Sequence, residues 1–152
     1  MSDATSSQLL LALHSCTDRF GVAVQESVGA PRVAVFDDGR SLSNSLIERV
    51  HSLLPRSRWS KIQGLAVATG PGGFTGTRLS VVMARTLAQQ LGCPLLGVSA
   101  FALMAQRLQC SHQPFWITQV LPRRGVVAGQ YSIAGDTVTE IEVPHLLEDG
   151  RV

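Results

Sequence analysis

The residues most able to do chemistry are a glycine-rich run, four histidines, three cysteines and a few acidic residues after apolar stretches. The run Gly70-Pro71-Gly72-Gly73-Phe74-Thr75-Gly76-Thr77-Arg78 is the most informative. Its glycines permit positive φ and close backbone approach, and it leads into a helical pattern, so a phosphate cradle is the obvious chemistry. The specific tests fail. A P-loop needs a lysine and a Ser/Thr after the second glycine, and the dinucleotide spacing needs a glycine where Thr75 stands. The spacing therefore favours a tight strand-to-helix turn. His14, His51, His112 and His145 are isolated, and no two lie three or four residues apart on a helix face, so no metal is expected. Cys16, Cys93 and Cys110 fall in separate segments without zinc or redox spacing, which suits reduced thiols and a cytoplasmic location. Asp18, Asp37 and Asp38 read as turn residues. No catalytic residue, metal or cofactor is expected, and neither ATP hydrolysis nor peptidase activity.

The elements that must position these residues come in two styles. Apolar runs at 9–13, 20–25 and 32–36, separated by turn chemistry at 14–18, 29–31 and 37–39, predict three antiparallel strands. Leu42, Leu46, Ile47, Val50, Leu53 and Leu54 then recur at helical spacing, with Ser45 and Glu48 placed as a capping box and Pro55 as the stop. A polar connection at 56–61, a strand at 62–68, the glycine-rich loop at 70–76, a helix at about 77–91 closed by Gly92, a strand at 95–98 and a helix at 100–108 capped by Ser99 follow. Strands are expected again at 115–120, 126–133 and 137–143, with turns at 122–125 and 134–136. This order predicts an α/β fold with a mixed sheet, in which 9–110 form one unit and 111–152 an incomplete second copy of three strands.

The second helix is apolar nearly all round. Leu79, Val82, Met83 and Leu87 form one face; Val81, Ala84, Ala88 and Leu91 form another. One face must cover the sheet, and the other is free for the first helix or a partner. Because Ala84 and Ala88 permit close helix approach, the expected interface comprises Val81, Ala84, Arg85 and Ala88 with a matching stripe of Leu42, Leu46 and Val50.

Composition bounds the remaining options. The chain has 152 residues, 45% of them apolar and 16% charged, which is enough apolar content for a core and too much for a disordered chain. Net charge is +2 and no dense basic run is visible, so stand-alone nucleic-acid binding is not expected, while weak or shared RNA contact stays open. The first eight residues are polar and do not read as a signal peptide, and no run is long enough to span a membrane.

Residues 9–15, the loop at 70–78 and the segment Gly92-Cys93-Pro94-Leu95-Leu96-Gly97-Val98-Ser99 resemble the TsaB (YeaZ) family in order and spacing. The loop carries most of the likeness, through its Gly-Pro-Gly, Phe-Thr-Gly and Arg78. The resemblance is good over 9–108 and loose over 115–143. It implies an actin-like (ASKHA, RNase H-like) sheet and a non-catalytic partner of a TsaD-type subunit. That subunit, with a TsaE-type ATPase, transfers threonylcarbamoyl to the adenosine beside the anticodon of tRNA. It further implies that the first two helices contact that partner, or a second copy when the partner is missing. The sequence departs from the family at His14, where the family has Asp, and at Gly73, where Ser is usual. At Leu121-Pro122-Arg123-Arg124-Gly125-Val126 both acidic residues of the family motif are replaced. The loss of the first-strand Asp weakens a nucleotide-hydrolysis reading. The alternatives are a homodimeric binding module and a divergent ATP-dependent enzyme.

Overall fold

The computed structural model describes residues 8–148; the polar start at 1–7 and the last part of the expected second unit, 149–152, lie outside the described residues. The first sheet has strand order β3-β2-β1-β4-β5, built from β1 (Leu9–His14), β2 (Phe20–Glu26), β3 (Arg32–Phe36), β4 (Ile62–Ala68) and β5 (Leu95–Val98). β1, β2 and β3 pair antiparallel, while β4 pairs parallel with both β1 and β5. The second sheet is an antiparallel meander of β6 (Phe115–Leu121), β7 (Gly125–Ala134) and β8 (Thr137–Leu146).

Period-two alternation decides which face of the first sheet is buried. Leu9, Leu11 and Leu13 of β1 point one way, in register with Val24 and Val22 of β2 and with Leu65 and Val67 of β4. Two helices lie on that face, α1 (Leu42–Leu53) and α2 (Phe74–Leu91). They complete the core with Leu42, Leu46, Val50, Ala84 and Ala88, all buried. The opposite face carries Leu10, Ala12, Ala23 and Ala66, with Val33, Val35 and Leu96 more than half exposed. A short third helix, α3 (Ala100–Ala105), turns away to cover the second sheet, where Phe101 and Ala105 meet Ile117, Val127 and Tyr131.

Several strands run one to three residues past their expected ends, β8 reaching Leu146 rather than 143, and residues 56–61 form a 3-10 helix; the three α-helices differ as well. The Ser45–Glu48 capping box does not form: α1 begins at Leu42, whose buried side chain anchors the first turn. Ser45 sits inside the helix with its hydroxyl donating to the Ser41 carbonyl at 3.4 Å. The helix is tied to the chain that enters it by Arg49, which donates to Asp38 through two hydrogen bonds of 2.9 and 2.7 Å. α2 begins at Phe74 rather than 77, because the Thr77 amide already donates to the Gly73 carbonyl at 3.0 Å. α3 ends at Ala105 rather than 108, since Arg107 and Leu108 bond three residues back instead of four, tightening the last turn.

Candidate functional site

The glycine-rich segment leaves the C-terminal end of β4 and feeds α2. Gly70, at φ +106°, adopts a conformation that favours glycine, and its carbonyl accepts the Ala100 amide at 2.7 Å. Gly72 lies on the backbone of Cys16, just beyond β1. A methyl group on Gly72 would sit 2.6 Å from both Cα and Cβ of Cys16 and closer still to its carbonyl oxygen. Next to it, the Gly73 amide donates to that same carbonyl at 3.1 Å. Gly76, one turn into α2, faces Ser15, whose carbonyl would be 2.8 Å from an added Cβ. Ser15 Oγ donates to the Gly76 carbonyl at 2.5 Å and stands 2.6 Å from Ser80 Oγ, so the Ser80 hydroxyl supplies the second proton of this buried pair.

The glycines are thus used for contact between two stretches of this chain's own backbone. The volume over Gly72 that a phosphate cradle would leave hollow is filled by Cys16. Phe74, Thr75 and Gly76 belong to the first turn of α2 and not to the loop, while Arg78 is exposed with its guanidinium 4.8 Å from the Phe74 ring centre. Burial raises the Cys16 thiol pKa, in keeping with an unreactive interior sulfur. His14, where the resemblance places an Asp, is half-buried; loss of hydration lowers its pKa and favours the neutral ring.

The interface expected on α1 and α2 needs correction residue by residue. Leu42, Leu46, Val50, Ala84 and Ala88 are buried in the sheet-facing core, with Val50 and Ala84 at 0% exposure. Of these five only Leu46 shows an edge at the surface, on the wall of a groove between α1 and α2. Val81 is half-buried against the same core, and of the seven only Arg85 is exposed. The two faces of α2 are exchanged relative to expectation. The small alanine face allows close approach to the sheet, while Leu79, Met83 and Leu87 are half-buried at its side and Val82 faces out.

Those larger side chains line an open apolar groove of about 590 Å³ between α1 and α2. Its walls are Leu46 and Ile47 of α1, Trp59, and Phe74, Leu79, Val82, Met83 and Leu87 of α2. Val82 is 60% exposed, Phe74 53% and Ile47 46%. Trp59 is held in place by donating its indole N–H to the Leu54 carbonyl at 2.8 Å. An exposed contiguous apolar surface of this kind makes the groove the candidate site. Sequence periodicity cannot find it, because a helix apolar on all sides does not say which side meets the sheet.

Residues 37–148 match the model of the TsaD family, tRNA N6-adenosine threonylcarbamoyltransferase. The TsaB protein of Escherichia coli K12, named tRNA threonylcarbamoyladenosine biosynthesis protein, is 32% identical over 97 residues, covering 56% of this chain and 42% of that one. The chain belongs to this family, in its TsaB (YeaZ) group. The TsaB protein of Bacillus subtilis 168 is 30% identical over 100 residues, or 63% of this chain and 43% of the relative. The crystal structure of an uncharacterized Pseudomonas aeruginosa protein with similarity to peptidase YeaZ superposes with a TM-score of 0.78 at 26% identity. That superposition covers 95% of this chain and 68% of the other. Sequence matching thus spans less than half the length of these two curated relatives. The α/β architecture, with a five-stranded mixed sheet and a second three-stranded sheet, is that of this family.

Proposed function

We propose that this chain acts as a non-catalytic partner of a TsaD-type subunit in threonylcarbamoyl transfer to the anticodon-adjacent adenosine of tRNA. In this reading residues 9–110 are the actin-like unit that docks and 111–152 begin a second one. A TsaE-type ATPase joins the complex, tRNA is bound within the assembly, and the chain pairs with itself when the partner is missing. In this reading the work is done in the cytoplasm. Among the described residues no helix is long and apolar enough to cross a membrane.

The observation that carries the reading is the groove between α1 and α2. It is apolar and open, and it lies on the helices that the family resemblance assigns to the partner contact. Burying it stabilises a complex by roughly 25 cal/mol per Å² of apolar area, before association costs. The names of the TsaB relatives support the tRNA part of the proposal.

The test is capture of a TsaD-type protein from the same cell by the purified chain, alongside light scattering of the chain alone. Ile47→Glu and Val82→Glu put a charge on side chains already in water, so the monomer should fold and melt like the parent. Both variants should lose the partner and any self-association. If both stay folded and retain partner and dimer, the groove is not the interface.

A further inference from the structure

The fold assembles a cationic patch that is absent from the sequence as a run. Arg40, Arg78, Arg123 and Arg124 come from three separate segments: the turn before α1, the first turns of α2, and the β6–β7 turn. The Phe74 ring joins two of them, with the guanidinium carbons of Arg78 and Arg124 at 4.8 and 4.6 Å from its centre. Arg40 and Pro122, the residue before Arg123, line the adjoining cleft of about 740 Å³ together with Thr17, Asp18 and Phe74. All four arginines are exposed. Among the described residues, none lies within ion-pair distance of a carboxylate. The neighbouring Asp37 and Asp38 are engaged instead by Arg19 at 3.0 Å and Arg49 at 2.7 Å. Asp18 is the one acid on the cleft wall.

The β6–β7 turn itself carries charge of one sign only, with Arg123 and Arg124 between Leu121-Pro122 and Gly125-Val126. Arg123 holds φ at +64°, in the left-handed region that favours glycine.

We infer that this patch contacts the phosphate backbone of RNA, deepening the proposed function by giving this chain its own hold on the tRNA substrate. Guanidinium forks suit phosphate oxygens, and arginines spread across separate elements match a ligand with a charge at every repeat. A single nucleotide's phosphates fit less well, because the glycine loop that would cradle them is filled by Cys16.

The experiment is fluorescence anisotropy of labelled unmodified tRNA titrated with the purified chain up to about 100 µM, the weak end of the range for charge-driven binding. It runs from 50 to 200 mM KCl and compares the parent with Arg123→Gly/Arg124→Gln and with Arg124→Gln alone. Glycine adopts the φ of residue 123 freely, so the fold is expected to survive, and circular dichroism and melting check this. The double variant should bind about tenfold more weakly at 50 mM KCl. Its log K against log[salt] slope should be shallower by about 1.4–1.8, or about 0.7–0.9 per lost phosphate contact; the single variant should lose half of that.

Equal affinity and slope in parent and variants, or no binding by the parent, would overturn the inference. So would displacement of RNA by ATP at matched ionic strength, or variants that lose TsaD-type capture and keep RNA. RNA binding that responds as expected in a chain unable to capture the TsaD-type protein would leave the patch standing and remove the partner reading. Capture without an RNA effect would do the reverse.

Discussion

Replacing Gly72 with alanine adds one methyl group and should be among the most damaging small changes in this chain. The new carbon would lie 2.6 Å from Cα and Cβ of Cys16, whereas ordinary contacts begin near 3.4 Å. The obstruction is backbone, so no rotamer change relieves it, and the loop must move away by close to an ångström. That movement breaks the bond from the Gly73 amide to the Cys16 carbonyl and loosens the Ser15–Gly76–Ser80 cluster beside it. Overpacking costs about 1–3 kcal/mol and a lost hydrogen bond about 1 kcal/mol, giving roughly 3 kcal/mol against a typical domain stability of about 5–15 kcal/mol. For a chain of this length the melting point should fall by about 6–12 °C. The neighbouring Gly73→Ala is the internal control. Nothing lies within 4 Å of a Cβ at Gly73, and its φ of −58° suits any residue, so its melting point should hold or rise slightly. Thermal melts followed by circular dichroism decide the matter. If Gly72→Ala and Gly73→Ala melt together, the close-approach argument is wrong. If Gly72→Ala keeps its stability but abolishes nucleotide binding, the loop is a phosphate site after all.

Two further outcomes follow from buried polar groups. The His14 pKa is lowered, chiefly by burial with a smaller contribution from Arg107, so the unfolded chain takes up a proton there more readily than the folded one. The stability that neutral His14 supplies is therefore present above about pH 6.5 and lost as pH falls below it. Chemical denaturation between pH 7.5 and 5.5 should show the parent weakening, and His14→Asn should flatten that dependence. Tyr131 is fully buried and donates to Glu140 Oε2 at 2.7 Å, with Ser99 Oγ 3.3 Å away; burial first, then Glu140, pushes its pKa up to about 12. Tyr131→Phe keeps the packing and removes the bond to the carboxylate, which should cost about 1.5–3 kcal/mol in a urea titration. An unchanged midpoint would show that the hydroxyl is dispensable.

The antiparallel run of the first three strands and the α/β mixed sheet were legible because they rest on local patterns, whereas the pairing of β4 with β1 is a long-range contact that only the structure gives. Continuous apolar runs such as 9–13, bounded by turn residues, mark strands, but they do not say that Leu9, Leu11 and Leu13 rather than Leu10 and Ala12 face the helices. The glycine-rich turn was legible by elimination, since the lysine and the glycine spacing of phosphate loops are missing. The contact surface was not. Val82 and Ala84 sit two residues apart, on opposite sides of a helix apolar nearly all round, and only the way the helix docks on the sheet decides that Ala84 is buried and Val82 exposed. The arginine patch was invisible for a different reason. Arg40, Arg78 and Arg124 are dozens of residues apart, and the docking of the β6–β7 turn beside α2 brings them together.

The apolar sheet face opposite α1 and α2 also bears on how this chain responds to heat and denaturant. Val33, Val35 and Leu96 are already hydrated in the folded state, so unfolding transfers less fresh hydrocarbon to water than the chain length suggests. Heat capacity of unfolding and denaturant sensitivity both scale with that newly wetted surface. The chain should therefore have a broad, shallow stability curve, with a gentle loss on warming and a correspondingly gentle loss in the cold.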